Sequence, residues 1–448
     1  MNDAAAFTRA HPSFAELTAA SFKIGCLGFG GPAGQIALMH RIFVEEKKWI
    51  DEARYLHALN YCMLLPGPEA QQLATYVGWL LHGVRGGIVA GGLFVLPGAA
   101  VVFALSWFYV LHGTTPLVAA LFIGVKAAVV AFIVDALIRV GRRALKTGAD
   151  ALTALAAFAA LYVFGLSFPV VIAAAALAGA IASLRPGTAR VPPAPAILPE
   201  DAGRRPAVPG APSAAKSLLT ALLWAALWLA PVAVVMLAFG PRHVLSQVGL
   251  LFSQLAVVTF GGAYALLAYL QQQAVDVQGW LAQGQMIDGL GLAETTPGPL
   301  ILVNQFVGFV AGWQADGGGF WLAVAAAALA SWCTFAPSFV WIFAGAPYAE
   351  QLRRNRFAAG ALRAVTAAVL GVIASLALWF GQHVLFSASA EIATPWGRAL
   401  ELPLLQSFSW IAALIALAAA IALVRFKANA ALVVLASAAA GWAAFALL

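Results

Sequence analysis

The chain has 448 residues, of which 62% are hydrophobic and only 10% are charged. Soluble domains carry about 25% charged residues, so this composition cannot cover a water-exposed surface and predicts a polytopic membrane protein. The net charge of +7 comes from Lys and Arg in short clusters between apolar runs, a pattern typical of cytoplasmic loops that argues against nucleic-acid binding. The three cysteines all lie in apolar runs, which excludes a disulfide scaffold. The apolar runs are continuous rather than alternating, which excludes a transmembrane β-barrel.

The first half of the chain begins with two apolar segments that glycine and proline interrupt near their centres. Segment 14–39 contains Phe29-Gly30-Gly31-Pro32, and segment 53–81 contains Pro66-Gly67-Pro68. Proline removes a backbone donor and stops a helix, so each segment is predicted to be two half-helices. Uninterrupted runs that are long enough to cross a hydrocarbon core of about 30 Å follow. They lie at 88–111, 117–138 and 151–184, of which the last is long enough for a hairpin of two helices.

A proline-rich stretch at 185–216 is predicted to be a cytoplasmic linker, and a connecting helix is predicted at 217–243. The second half then repeats the order of the first. Its interrupted segments are 245–270, with Phe260-Gly261-Gly262, and 286–312, with Pro297-Gly298-Pro299. Its uninterrupted runs are 320–343, 364–386, 404–424 and 428–448. We assign the N-terminal membrane repeat to 1–184 and the C-terminal repeat to 244–448, with about 13 membrane segments in all.

One sequence offset relates the two halves. The Phe-Gly-Gly turns, the Pro-Gly-Pro breaks and one tryptophan recur at the same spacing, since 260 − 29, 297 − 66 and 280 − 49 all equal 231. Three landmarks at one offset predict an internal repeat.

The basic loops predict that the two repeats are inverted. Arg139, Arg142, Arg143 and Lys146 follow the run at 117–138, whereas the arginines at 353–356 precede the corresponding run at 364–386. By the positive-inside rule the halves then face opposite ways, as in many secondary transporters. The predicted fold is an all-α polytopic membrane protein with two inverted-topology repeats and broken or re-entrant helices. Its N-terminus is expected in the cytoplasm and its C-terminus in the periplasm, and whether the broken segments cross fully or re-enter is left open.

The breaks are suited to binding an anion. A half-helix that starts inside the membrane offers free N–H groups and the positive end of its dipole, and glycine lets a ligand approach the backbone. A single break is more often a kink or a close helix contact. Four breaks at equal spacing favour a shared anion site near the middle of the membrane.

These motifs resemble those of the chromate ion transporter family in its long, two-domain form. The matching motifs are GFGGP at 28–32, LPGPEAQQLA at 65–74, TFGG at 259–262 and TTPGP at 295–299. The resemblance implies an inner-membrane protein with duplicated, oppositely oriented halves that exports chromate and confers resistance to it. The second Gly-Gly is followed by Ala263 rather than proline, so the halves should not be chemically equivalent.

Several polar residues could complete the site. Lys126 and Arg363, in similar positions of equivalent runs, could neutralise a dianion, although both could instead snorkel to the interface. Glu69 could carry a coupling proton, be displaced by an anion, or simply cap its half-helix. The predicted binding residues are Gly30, Gly31, Pro66, Gly67, Pro68, Glu69, Gln71, Gln72, Lys126, Gly261, Gly262, Thr296, Pro297, Gly298, Pro299, Gln305 and Arg363.

We therefore expect a secondary active transporter that exports chromate across the inner membrane by alternating access, coupled to protons or another ion. It is not expected to be an enzyme, and no cofactor, metal site or nucleic-acid partner is expected, because the sequence carries no cofactor motif or clustered Cys/His ligands. Sulfate or another oxyanion is the alternative substrate, since it shares the charge and shape of chromate. A passive anion channel is the alternative mechanism, and a homodimer is left open.

Overall fold

The structure is a computed structural model that describes residues 12–184, 214–260, 263–348, 356–395 and 399–447. The predicted linker at 185–216 lies outside the described residues except for its last three, which begin the connecting helix. The break residues Gly261 and Gly262 also lie outside the described residues.

The first half contains seven described helices. They are α1 (Phe14–Leu27), α2 (Gly31–His40), α3 (Glu52–Cys62), α4 (Glu69–His112), α5 (Pro116–Ala144), α6 (Gly148–Phe158) and α7 (Phe168–Ala182). Short π-helical turns, Arg41–Glu46 and Ala159–Val163, extend α2 and α6. The helix α8 (Ala214–Phe239) leads to the second half and exposes large apolar side chains, as a lipid-facing helix does.

The second half repeats this order. Its helices are α9 (Val244–Val258), α10 (Ala263–Gln271), α11 (Gln283–Thr295), α12 (Val303–Gln314), α13 (Phe320–Gly345), α14 (Arg356–Leu385), α15 (Trp410–Val424) and α16 (Ala430–Leu447). A π-helical turn, Gln272–Val277, extends α10, and a 3₁₀ turn, Leu300–Leu302, precedes α12. Six described helices, α4, α5, α8, α13, α14 and α16, are long and apolar enough to cross a membrane.

The predicted breaks are present in the structure. α1 ends at Leu27 before α2 begins at Gly31, and the Pro-Gly-Pro motifs separate α3 from α4 and α11 from the turn before α12. Gly67 and Gly298 have φ values of +106° and +97°, a backbone conformation that residues with a Cβ atom rarely adopt. Glycine is therefore required at the centre of each Pro-Gly-Pro break.

A two-fold relation between the halves is visible in a pair of reciprocal hydrogen bonds. The Gly67 N–H donates to the Thr259 carbonyl (2.9 Å), and the Gly298 N–H donates to the Gly28 carbonyl (3.0 Å). Both the donors (298 − 67) and the acceptors (259 − 28) differ by 231. Such an exchange of equivalent contacts is expected of two halves that are related by a two-fold axis, and it agrees with the predicted internal repeat.

The halves interlock rather than forming two separate bodies. α5 of the first half packs on α15 and α16, and α14 of the second half packs on α6 and α7. Small residues allow these close approaches: a Cβ on Gly124 would overlap the Ser437 carbonyl, and one on Gly360 would overlap the Gly179 carbonyl. Motion of one half against the other must therefore involve helices from both repeats.

One element differs from the all-α prediction. The strands β1 (Ser389–Ala393) and β2 (Ala399–Pro403) form an antiparallel hairpin between α14 and α15. Its two strands are mostly exposed, and Pro403 ends the second. Between these two helices the backbone N–H and C=O groups have no helical partners, and the hairpin pairs them with each other instead.

Candidate functional site

A small cavity lies where the breaks of the two halves meet. α2 contributes Pro32 and Gln35, and the first Pro-Gly-Pro break with the start of α4 contributes residues 67–70. The second half contributes Thr259, Ala263 and residues 299–301. Residues at all four interruptions thus surround one space, as the repeat predicted.

The cavity is narrow in this conformation. The volume open to the centres of water-sized molecules is about 20 Å³, which is enough for one water. A tetrahedral anion with four oxygens needs more room. The elements that carry the breaks must therefore separate before such a ligand binds.

Gln35 fastens the breaks of the two halves together. Its Nε2 donates to the carbonyl of Gly28 (3.1 Å) and to that of Gly298 (2.6 Å), and the side chain is fully buried. No described residue partners its Oε1. Sequence reasoning missed this residue, although a glutamine three residues after the Pro32 break was an available signal.

Glu69 is the charged residue among the described residues that line the cavity. It is the first residue of α4, directly after Pro68. No hydrogen bond joins its carboxylate to another described residue, and its place in the first turn puts it at the positive end of the helix dipole. A carboxylate in an anion site repels the anion unless it is protonated or moves away.

Lys126 does not line the cavity. Its Nζ lies 3.3 Å from Oδ1 of Asp288, and the Tyr109 hydroxyl donates to Oδ2 of the same carboxylate (2.8 Å). Asp288 and Tyr109 are buried and were missed by sequence reasoning. The available signal was a carboxylate inside the interrupted segment 286–312, since ionisable residues at membrane depth are functional candidates by default.

Arg363 also lies away from the cavity lining. Its guanidinium binds both carboxylate oxygens of Asp150 (3.0 Å each), and it donates to the Thr147 hydroxyl (3.1 Å). The expected equivalence with Lys126 is wrong. Lys126 on α5 pairs with Asp288 on α11, whereas Arg363 on α14 pairs with Asp150 on α6, so the two cations meet different partners.

The remaining predicted polar residues lie behind the breaks. Gln72 Nε2 donates to the Pro66 carbonyl (2.7 Å) across the first break, and Gln71 is fully buried with no described partner for either amide atom. Gln305 Nε2 donates to the Ala99 carbonyl (2.8 Å), and the Thr296 hydroxyl donates to the Ala293 carbonyl (3.0 Å). Of these four residues, Gln72 braces a break directly, and all four lie outside the cavity lining.

The glycines of the first Phe-Gly-Gly turn are open. Gly30 and Gly31 have φ values of +84° and +68°, and no atom lies within 4 Å of where their Cβ atoms would be. Backbone is therefore accessible at this turn. Gly261 and Gly262, their predicted counterparts, lie outside the described residues.

A second buried carboxylate stands behind the second break. Glu294, near the end of α11, accepts a hydrogen bond from the Tyr264 hydroxyl (2.6 Å). Asp135 and Arg139, four residues apart on α5, form an ion pair at 2.9 Å. α5 therefore places ionisable groups near α11 at two points along its length, Lys126 near Asp288 and the Asp135–Arg139 pair near Glu294.

The fold and the site define a class. Long apolar helices surround irregular backbone at the centre of broken helices, and that backbone, from both halves, lines a small cavity. Irregular backbone is tolerated inside a membrane only where protein buries it or where it lines a cavity, and this arrangement is that of a multi-pass membrane transporter.

The chain belongs to the chromate transporter family, whose sequence pattern matches residues 15–180 and 246–442. It is a transporter and not an enzyme, and the two matched segments correspond to its two halves. The resemblance drawn from the break motifs is therefore confirmed.

Three similar proteins carry related names. A chromate transport protein of Pseudomonas aeruginosa is 35% identical over 305 residues, 67% of each chain. A chromate transport protein of Cupriavidus metallidurans is 30% identical over 353 residues, 78% of each chain. A probable chromate transport protein of Synechococcus elongatus is 30% identical over 388 residues, 86% of this chain and 89% of the relative. No solved structure matches the chain.

Proposed function

We propose that this protein is a secondary active transporter that exports chromate across the inner membrane and so confers chromate resistance. The observation that carries the proposal is the meeting of both Pro-Gly-Pro breaks around one cavity. The names of the three relatives support chromate as the substrate.

The backbone at the breaks is proposed to hold the oxyanion. The first turn of α4 after Pro66-Gly67-Pro68 and the turn Leu300–Leu302 after Pro297-Gly298-Pro299 both begin at the cavity. Free N–H groups at a helix start donate to anion oxygens, and the positive ends of the helix dipoles favour negative charge. Gly30 and Gly31 add open backbone on the third side. Lys126 acts on this site from a distance, and Arg363 has no part in it because Asp150 holds it.

Alternating access follows from the two-fold relation between the halves. The basic end of α5, with Arg142 and Arg143, favours the cytoplasmic side for that end, and the positive-inside bias reverses in the second half. We therefore assign the two-fold axis to the membrane plane, with inverted repeats, a cytoplasmic N-terminus and a periplasmic C-terminus. An exchange of equivalent contacts between the halves then opens the site to the other side.

Glu69 is proposed to link the anion to a proton. Its carboxylate faces the same cavity as the free N–H groups, so a dianion binds there once Glu69 is protonated or displaced. Glu69→Gln should therefore retain chromate binding and weaken its dependence on pH. Loss of binding in this variant would show that the carboxylate holds the site together rather than competing with the anion.

Chromate uptake into inside-out vesicles tests the proposal, with and without an imposed pH gradient and with excess sulfate. We expect accumulation above the external concentration, driven by the gradient and weakly inhibited by sulfate. Uptake that only equilibrates would indicate a channel. Uptake abolished by equimolar sulfate would make sulfate the substrate, and uptake equal to that of empty vesicles would refute transport.

A further inference from the structure

The Lys126–Asp288–Tyr109 cluster joins the two halves inside the molecule. Lys126 on α5 and Tyr109 on α4 belong to the first half, and Asp288 on α11 belongs to the second. α11 can approach α5 closely because Gly291 has no side chain. A Cβ at this position would overlap the Val125 side chain. The carboxylate of Asp288 is thus held between helices of both repeats.

The two oxygens of Asp288 have different surroundings. Oδ2 accepts the Tyr109 hydrogen bond at 2.8 Å, whereas Oδ1 accepts no hydrogen bond from a described residue and faces the Lys126 ammonium at 3.3 Å. A proton added to Oδ1 leaves the Tyr109 bond in place and neutralises the carboxylate beside a cation. The Lys126 side chain is 30% exposed and that of Asp288 is 8% exposed, so the lysine is the more accessible member of the pair.

Among the described residues this cluster occurs once, although the fold repeats. At the 231-residue offset, the position equivalent to Asp288 is His57 (288 − 231), so the carboxylate of the cluster has no carboxylate counterpart in the first half. A cation–carboxylate pair is therefore not needed to build this part of the repeat. Buried ion pairs add little stability over apolar packing, so a pair between the halves that the two-fold relation does not repeat points to a functional role.

Asp288 has few ionisable neighbours. Of the elements packed against α11, α4 presents Tyr109 and α5 presents Lys126, while α12, α16 and the Leu300–Leu302 turn contain no ionisable side chain. On α14, Arg363 is paired with Asp150 and His383 with Glu401. Further along α5, Asp135 and Arg139 lie near Glu294, which is six residues after Asp288 on α11. Tyr264 of α10 donates its hydrogen bond to Glu294 at the same place.

We propose that Asp288 is a binding site for a proton that is taken up together with the oxyanion. The inference rests on the proposed function, since it assigns a proton site to that transport. Asp288 lies seven residues before Thr295, or about 10 Å along α11 from the second break. At this distance inside a membrane protein, charges still interact strongly. Protonation removes a negative charge near the incoming dianion and leaves the positive charge of Lys126 uncompensated, so proton and oxyanion strengthen each other's binding.

The test is the pH dependence of chromate binding to the purified full-length protein. One linked proton contributes a slope of up to about one decade in affinity per pH unit. We expect wild-type affinity to rise as the pH falls, the slope to decrease by about one unit in Asp288→Asn, and Asp288→Glu to restore it. Asp150→Asn, which breaks the other ion pair between the halves, should leave the slope unchanged.

Two further measurements keep the result interpretable. If Asp288→Asn does not fold, the double variant Lys126→Met with Asp288→Asn, which leaves no unpaired charge, replaces it, and the same loss of slope is expected. Direct measurement of proton uptake on adding chromate should show a smaller uptake in these variants than in wild type. An unchanged slope and proton uptake in a folded variant would overturn the assignment of Asp288. Absence of chromate binding by wild type would instead refute the proposed function.

Discussion

Gln35 offers a direct test of how the breaks of the two halves are held together. In Gln35→Leu both hydrogen bonds from Nε2 are lost. The Gly28 carbonyl stays paired, because it also accepts the Gly298 N–H at 3.0 Å, but the Gly298 carbonyl loses its side-chain donor. One lost hydrogen bond contributes about 1 kcal/mol and one buried unpaired carbonyl costs about 1–3 kcal/mol, so a destabilisation of about 2–4 kcal/mol is expected.

The assay is unfolding of the purified protein in detergent, followed by intrinsic tryptophan fluorescence. Gln254→Leu on α9 is the matched control, since that glutamine is exposed, and it should change the free energy of unfolding by less than about 0.5 kcal/mol. Transport by Gln35→Leu should also fall, because the Pro-Gly-Pro break of the second half is no longer fastened. Equal stability of the two variants would refute the bracing role of Gln35.

Three further substitutions test the geometry. Gly67→Ala forces an alanine to a φ of +106°, which costs about 1–2 kcal/mol and should abolish chromate transport. The control Gly92→Ala on α4, where no atom lies within 4 Å of the new Cβ, should leave transport unchanged. Equal transport by both variants would contradict the need for glycine at the break. Gly124→Leu should prevent α5 from packing on α16 and reduce the yield of folded protein, and normal yield and melting would contradict that packing. Arg363→Gln should lower the free energy of unfolding by about 1 kcal/mol, because the half-exposed Arg363 loses its ion pair with Asp150. Chromate affinity should be unchanged in this variant, and a large loss of affinity would return Arg363 to the binding site.

The energetics of export are compatible with a proton that moves with the anion. A dianion that leaves with one proton carries one net negative charge outward. A membrane potential that is negative inside favours this movement by about 2.3 kcal/mol per 100 mV. The electrical part of the proton gradient therefore favours export of the anion together with one proton.

The sequence alone was sufficient for features that depend on local sterics. Proline and glycine stop helices wherever they occur, so the breaks at Pro66-Gly67-Pro68 and Pro297-Gly298-Pro299 follow from residue type. The 231-residue offset aligned them, and the reciprocal bonds of Gly67 and Gly298 show that the alignment holds in space. The same reasoning divided 151–184 correctly into two helices, with Gly165 in the turn at φ +67°.

Partners that are distant in the chain could not be predicted. Asp288 lies 162 residues after Lys126 (288 − 126), and nothing in the periodicity of either helix specifies their pairing. The interlocking of α5 with α15 and α16 likewise depends on small residues meeting across the repeats. Lys126 and Arg363 therefore looked like two free cations, although each has a carboxylate partner.

The most direct test of the account is to locate chromium in the bound protein by anomalous scattering from crystals grown with chromate. The account predicts a single strong peak between the two Pro-Gly-Pro breaks, close enough for chromate oxygens to accept hydrogen bonds from the backbone N–H groups of 69–70 and 300–301, with the cavity wider than in the present conformation. A peak elsewhere, such as the pocket between His383 and the β1–β2 hairpin, with the breaks empty, would contradict it.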